Sequence, residues 1–264
     1  MESIHGKTIW ITGASSGIGK SLALALSSYS CNLILSSRRE EELVKVKVLC
    51  GNTDNISILP LDLENHNEME ILTQRAISFY GKIDILVNNA GISQRSLIKD
   101  TKLEVYEQLM DVNYLGTVAL SKAILPHFIT NKSGRYVTVT SLMGKFGSPY
   151  RSGYCGAKHA LHGFFDVMRM EHEKDGVKVT LVCPGFVQTN VAKNALTADG
   201  STQKNDDVAT QNGITPALAA KEIISAIQKD KFEIYVGGKE VKGIYLKRFF
   251  PKLLHKMVLK SQVR

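Results

Sequence analysis

Short apolar runs alternate with longer amphipathic stretches along most of the chain. Residues 8–11 (Thr-Ile-Trp-Ile) form an apolar run that predicts a strand, and a glycine-rich turn at 12–19 leads into an apolar helix over 21–29. The rhythm then repeats. A strand over 32–37 precedes a charged helix from about Arg39, and a strand over 56–61 precedes an amphipathic helix over 66–80. A strand over 83–87 is followed by a helical stretch over 102–130, broken near Asn113. Residues 134–140, 177–183 and 232–236 read as further strands, with helices over 154–174 and from Thr215-Pro216, where proline suits the first helical position. Strands alternating with helices predict an α/β fold: one doubly wound parallel sheet of about seven strands with helices on both faces. Runs such as Ile83-Asp84-Ile85-Leu86-Val87 suit strands buried on both sides.

The 264 residues suit one large domain, with little room for a second. Residues 1–238 carry the alternating pattern, and 239–264 form a basic amphipathic tail. The formal net charge of +8 is concentrated there: residues 239–264 hold eight lysines and arginines against one glutamate. A nucleic-acid-binding face would spread basic residues across the domain, so nucleic acid is not an expected partner. Cys31, Cys50, Cys155 and Cys183 show no metal-like spacing and read as free thiols in a reducing compartment, and no metal site is expected. With no signal-like amino terminus and no membrane-spanning run, the expected location is cytoplasmic or peripheral to a membrane surface.

The turn at 12–19 carries Gly13, Gly17 and Gly19 between a strand and a helix. Glycines permit a tight turn and close backbone approach to a pyrophosphate, and the helix amino terminus offers free N–H groups and a positive dipole end. The sheet is therefore expected to be Rossmann-like. A site for NAD places an acid at the end of the second strand, to hold the ribose 2′-OH. Here Ser36-Ser37-Arg38-Arg39 stands there. A guanidinium pairs bidentately with a 2′-phosphate, so NADP(H) is expected over NAD(H). Arg38 is the expected partner, with Ser37 where the acid would be and Arg39 facing solvent.

Ser141, Tyr154 and Lys158 carry the candidate chemistry. Tyrosine and lysine four apart share a helix face. An ammonium near the phenol would favour phenolate and lower its pKa towards neutrality, making it a proton donor and acceptor. A nearby serine hydroxyl would hold a carbonyl oxygen.

Together these segments resemble the short-chain dehydrogenase/reductase family, over nearly the whole chain to about residue 238. The matching motifs are TGASSGIG at 12–19, Asp62-Leu63, NNAG at 88–91, Asn113 in MDVNYLG, Ser141 in VTVTS, Tyr154-Cys-Gly-Ala-Lys158 and PGFVQT at 184–189. The resemblance implies a phosphate turn from Gly13, Ser15, Ser16, Gly17, Ile18 and Gly19. It implies adenine contacts from Asp62 and Leu63, an adenosine-side lining of Asn89, Ala90 and Gly91, and nicotinamide positioning by Pro184, Gly185, Val187 and Thr189. Tyr154 would be the general acid in reduction and the base in oxidation. Lys158 would tune it and bind the nicotinamide ribose, Ser141 would hold the substrate oxygen, and Asn113 would hold a water linking Lys158 to solvent. The implied activity is hydride transfer between NADP(H) and a carbonyl or alcohol. A catalytically silent NADP(H)-binding sensor or scaffold on the same fold is the alternative, and the intact Asn113, Ser141, Tyr154 and Lys158 set argues against it. The family's members are often dimers or tetramers, so a homo-oligomer is expected.

Residues 189–213 are polar and aperiodic, and are expected to form a mobile segment over the site. Phe186, Val187, Val191 and Leu196 would give it an apolar wall, which points to a lipophilic substrate. The tail from 243 to 260 mixes cations with bulky apolar residues, with Pro251 dividing two short helices. It reads either as a peripheral membrane contact or as a segment packing on its own or a partner subunit near the substrate mouth. Cys155 reads as a packed thiol, and His159 and His162 as structural residues without an acid partner. Asp84 is expected to fix a local segment. Tyr150 is open between a substrate contact and a surface role.

Overall fold

A computed structural model describes residues 3–51 and 53–260. Seven parallel strands form one sheet in the order β3-β2-β1-β4-β5-β6-β7. They are β1 (Thr8–Thr12), β2 (Asn32–Ser36), β3 (Ile56–Ile58), β4 (Ile85–Asn88), β5 (Gly134–Val139), β6 (Val177–Pro184) and β7 (Glu233–Val236). Alternation along the strands divides the core in two. Ile9, Ile11, Leu33 and Leu35 face one layer, while Trp10, Ile34 and Leu86 face the other. The first layer is closed by α1 (Gly17–Leu26), α2 (Glu40–Leu49) and α8 (Pro216–Gln228), through Leu22, Leu43 and Ile223. The second is closed by α3 (Met69–Tyr80), α5 (Gly116–Thr130) and α6 (Ser152–Glu171), through Ala76, Phe128 and Phe165. The expected doubly wound sheet with helices on both faces is therefore the observed one.

Local chemistry moves some boundaries. The third strand ends at Ile58, not Leu61, because Pro60 has no N–H for the ladder. Leu59 and Leu61 still donate to Leu35 and Ser37, so the chain stays beside β2 and delivers Asp62 to the carboxyl edge. Asp84 fixes the start of β1, accepting from the Thr8 N–H at 2.8 Å and from Lys7 and Lys82 at 3.3 Å. The predicted break near Asn113 is a π-helical turn (Asp111–Leu115) between α4 (Leu103–Met110) and α5, so the path stays helical.

The strand order reverses between β1 and β4, which opens a crevice at the carboxyl edge of the sheet, where α/β sheets of this kind bind ligands. After β6 the chain crosses that edge, forms the single turn α7 (Val208–Gln211), and returns through α8 and β7. The tail then folds into α9 (Gly243–Phe249) and α10 (Pro251–Lys260), divided at Pro251 as its sequence predicts. Among the described residues no helix is long and apolar enough to cross a membrane.

Candidate active site

The turn between β1 and α1 is built to leave backbone exposed. Gly13 and Gly17 lie at φ 65° and 54°, a left-handed conformation that side-chain-bearing residues rarely adopt. A Cβ on Gly13 would sit 2.8 Å from the Ala90 Cα, and one on Gly17 would sit 3.1 Å from the Thr189 methyl. Ser16 precedes α1 without a side-chain cap, and the first turn holds no acid, so its N–H groups stay available for an anion. Gly19 differs: it lies off the cavity wall, and its Cβ would strike the Gly13 carbonyl, so it lets helix and strand approach. Thr12 joins this turn to the β4 loop, its hydroxyl accepting from the Asn89 and Ala90 N–H groups at 3.0 and 3.1 Å. Asn89 reciprocates by donating to the Thr12 carbonyl at 3.0 Å.

One cavity of about 980 Å³ runs from this turn to the tail. Gly13, Ser15, Ser16, Gly17, Ile18, Ser37, Arg38, Asp62, Leu63, Asn89, Ala90 and Gly91 line one half. Ser141, Tyr154, Lys158, Pro184, Gly185, Val187 and Thr189 line the other. Of the residues expected to bind the cofactor or carry the chemistry, only Gly19 and Asn113 stand behind the wall. The glycine cradle, the open helix terminus and the basic end of β2 fit a dinucleotide. Arg39 is exposed and lines the cavity beside Arg38, reaching back to the Ser15 hydroxyl at 3.5 Å, so it belongs to the site and does not simply face solvent.

Ser141 follows β5 and opens the short turn after it, and Tyr154 and Lys158 occupy one face of α6 a turn apart. Lys158 is buried, and its ammonium donates to the Val139 carbonyl at 3.0 Å. It stands 5.8 Å from the centre of the Tyr154 ring. Burial pulls the lysine down to about 8. The phenol differs from the sequence expectation: burial pushes it up, with Ser141 and then Arg95 the largest opposing influences. The lysine is tied to the β5 backbone and not to the phenol, so in the free site the proton stays on Tyr154. Asn113 is fully buried, and both its side-chain polar atoms bond the Ile92 backbone. Each of those atoms makes one bond there, so one N–H and one lone pair remain for the expected water.

Gln94, Arg95, Arg151, Asp207 and Glu240 escaped the sequence reading. Gln94 caps the helix that carries Tyr154, its carbonyl accepting from the Gly153 N–H at 2.7 Å. Asp207, from the segment after β6, accepts from the Arg95 Nε at 2.9 Å and from Arg151 at 3.1 Å, and all three side chains are buried. Burial pushes the Asp207 carboxyl up, but the two arginines hold it below the usual range. The segment expected to be mobile is thus anchored here, and also at Leu196, which bridges to Gln94 and Thr202. None of these partners was legible, because each is remote in sequence.

Glu240 belongs to the tail but serves the nicotinamide-side loop, accepting from the Phe186 and Gly238 N–H groups at 3.1 and 3.0 Å. Leu254 packs with Leu142, Phe146 and Cys183, so the tail forms part of the cavity wall. Tyr150 lies off the cavity wall, at φ 66°, and its carbonyl accepts from the Ser96 N–H. His162 does have an acid neighbour, contrary to expectation: its Nδ1 lies 3.7 Å from Glu233, and its Nε2 lies 3.0 Å from the Thr140 hydroxyl. His162, Cys183 and Glu233 hold their ligand atoms within 4.8 Å of one another. Lys145 occupies the carboxylate at 2.8 Å, however, and burial keeps Cys183 a thiol by pushing it up to about 12. That chemistry does not suit a cation.

The likeness to known proteins is extensive. The family model for short chain dehydrogenases matches residues 7–200. Human dehydrogenase/reductase SDR family member 7 is 40% identical over 250 residues, covering 92% of this chain and 74% of that protein. The family protein 7-like of Drosophila melanogaster is 37% identical over 269 residues, covering 100% and 82%. A short-chain dehydrogenase/reductase from Burkholderia phymatum, solved with NAD, superposes with a TM-score of 0.85 at 21% identity, covering 96% of each chain. An alcohol dehydrogenase from Thermococcus sibiricus, solved with 5-hydroxy-NADP, superposes with a TM-score of 0.76 at 23% identity, covering 89% of this chain and 97% of that one. With the same motifs gathered around one crevice of the same fold, the chain belongs to the short-chain dehydrogenase/reductase family and is an oxidoreductase on a Rossmann fold.

Proposed function

We propose that the protein interconverts a carbonyl and an alcohol on a lipophilic substrate, using NADP(H) in preference to NAD(H). The observation that carries this reading is Ser141, Tyr154 and Lys158 lining the same cavity as the glycine turn. When bound, the nicotinamide supplies or accepts the hydride. The residues of this chain orient the substrate and move a proton. Ser141 holds the substrate oxygen. Tyr154, protonated in the free site, is the loaded acid for reduction and takes the proton back in oxidation. Lys158 stabilises the phenolate left after transfer and binds the cofactor ribose. Asn113 holds Ile92 through one bond at each side-chain atom, and its remaining N–H and lone pair are left for a water linking Lys158 to solvent.

The cofactor preference rests on the end of β2. Both Arg38 and Arg39 line the cavity there, and no acid stands between Ser36 and Arg39. The substrate class rests on the opposite wall, where Leu142, Met143, Phe146, Leu246, Leu254 and Val258 are apolar. The test is a panel of ketones with NADPH and NADH, followed by reduced-nicotinamide absorbance. Tyr154→Phe should keep NADPH binding and lose roughly 10² to 10⁴ in turnover. Near-normal turnover in that variant would remove Tyr154 from the chemistry.

A further inference from the structure

We propose that the outer face of α9 and α10 docks the protein on an anionic membrane surface, with the mouth of the active-site cavity towards the bilayer. The docking stands on the tail alone; its meaning for substrate access rests on the lipophilic-carbonyl reading above.

The apolar stripe of the tail is wider than the contact it makes. Residues 246, 249, 250, 253, 254, 257 and 258 recur at helical spacing. Leu254 and Val258 turn inward onto Phe146 and Leu142. The same stripe continues outward through Phe249, Phe250 and Leu253, which are 69%, 62% and 48% exposed. Met257 joins the two faces, lining the cavity while 50% exposed. Met257 therefore links the apolar cavity wall to the exposed apolar face.

Charge identifies the occupant. Lys242, Lys247, Arg248, Lys252, Lys256 and Lys260 are all exposed, and no acid follows Glu240 in the chain. Among the described residues none of these six makes an ion pair. By contrast, Lys7, Lys45, Lys82, Lys132, Lys145 and Lys178 all pair with carboxylates. A second copy meeting this face across a two-fold axis would set like charges against each other. A layer of anionic headgroups neutralises the cations and takes up the aromatic and aliphatic side chains between them. No described helix can span a bilayer, so the contact is interfacial.

The test is flotation of the 264-residue protein with phosphatidylcholine vesicles made with and without phosphatidylserine. Wild type should float with the phosphatidylserine vesicles and be released by high salt. Two variants alter different parts of the face: Phe249→Ser with Phe250→Ser, and Lys247→Glu with Arg248→Glu and Lys252→Glu. Each should lower partitioning at least about tenfold. None of these five residues lines the cavity, so cofactor binding and turnover of a water-soluble ketone should be unchanged. Wild type that stays unbound, or variants that float as well as wild type, would overturn the proposal. So would a wild-type dimer that the phenylalanine variant converts to monomer without loss of flotation, which would assign the face to a second copy. Flotation needs no turnover, so a protein that floats but reduces nothing would refute only the enzymatic reading.

Discussion

Asn113 is joined to Ile92 by two hydrogen bonds: its Oδ1 accepts from the Ile92 N–H at 2.8 Å, and its Nδ2 donates to the Ile92 carbonyl at 2.9 Å. The amide acts as a clip between the π-helical turn and the loop after β4. It also sets the space beside Gly91, where a Cβ would come 2.6 Å from Oδ1 and 3.5 Å from the Lys158 ammonium. Asn113→Ala should cost about 1–3 kcal/mol by stranding two backbone groups, and turnover should fall with it. Gly91→Ala disturbs the same contact from the other side. Urea melts of both single variants and the double should show non-additive losses, since the residues share one contact.

The buried lysine predicts a pH dependence with a definite sign. Burial lowers Lys158 from its ordinary 10.5 to about 8. Below about 8 the folded protein carries a buried cation that opposes folding. Between about 8 and 10.5 the unfolded chain binds the extra proton, so stability rises with pH. Lys158→Met removes that penalty. In the cofactor-free protein it should raise the melting temperature near neutral pH, reflecting up to about 3 kcal/mol. The advantage should shrink above about pH 8, while turnover is lost throughout. A melting difference independent of pH would show that the fold leaves the lysine at its ordinary pKa.

Arg38 and Arg39 make a prediction about discrimination. If either guanidinium pairs with a 2′-phosphate, Arg38→Ala or Arg39→Ala should weaken NADPH at least about tenfold and leave NADH nearly unchanged, because only one cofactor has the group. Fluorescence titration of each variant with both cofactors measures the ratio. Arg39 also contacts Ser15, so its removal should loosen the phosphate turn and affect NADH slightly more than removal of Arg38 does.

Asp207 holds two buried arginines, so its loss leaves both without their shared carboxylate. Asp207→Ala should destabilise the fold by about 3–5 kcal/mol, the usual cost of breaking a buried pair. Asp207→Asn keeps the shape and one acceptor and should cost less. Limited proteolysis should cut first between 189 and 213 in both variants, since Asp207 anchors that segment to Arg95 and to the start of α6.

The parts of the site that were legible in the sequence are those whose geometry is local. Gly13 and Gly17 need their conformations within one turn, and Tyr154 with Lys158 needs only helical spacing. Arg38 is read from its place after a strand. The missed residues act across long separations. Gln94 reaches Gly153 over 59 positions, Glu240 reaches Phe186 over 54, and Asp207 reaches Arg95 over 112. Nothing in the local pattern around Gln94 or Asp207 marks it, because each looks like an ordinary loop residue until the sheet brings its partner close.

The sequence by itself determined the strand and helix order, the parallel sheet, the phosphate turn and the serine, tyrosine and lysine set. Hydrophobic period and glycine placement are properties of neighbouring residues, so they can be read along the chain. Only the tertiary structure decided how charge is distributed among those residues. Burial lowers Lys158 and raises Tyr154, the Val139 carbonyl takes the lysine, and Ile92 takes the Asn113 amide. It also decided that the tail lines the cavity with one face and leaves the other exposed. Desolvation and long-range contact depend on what surrounds a group in space, and that environment exists only once the chain is folded.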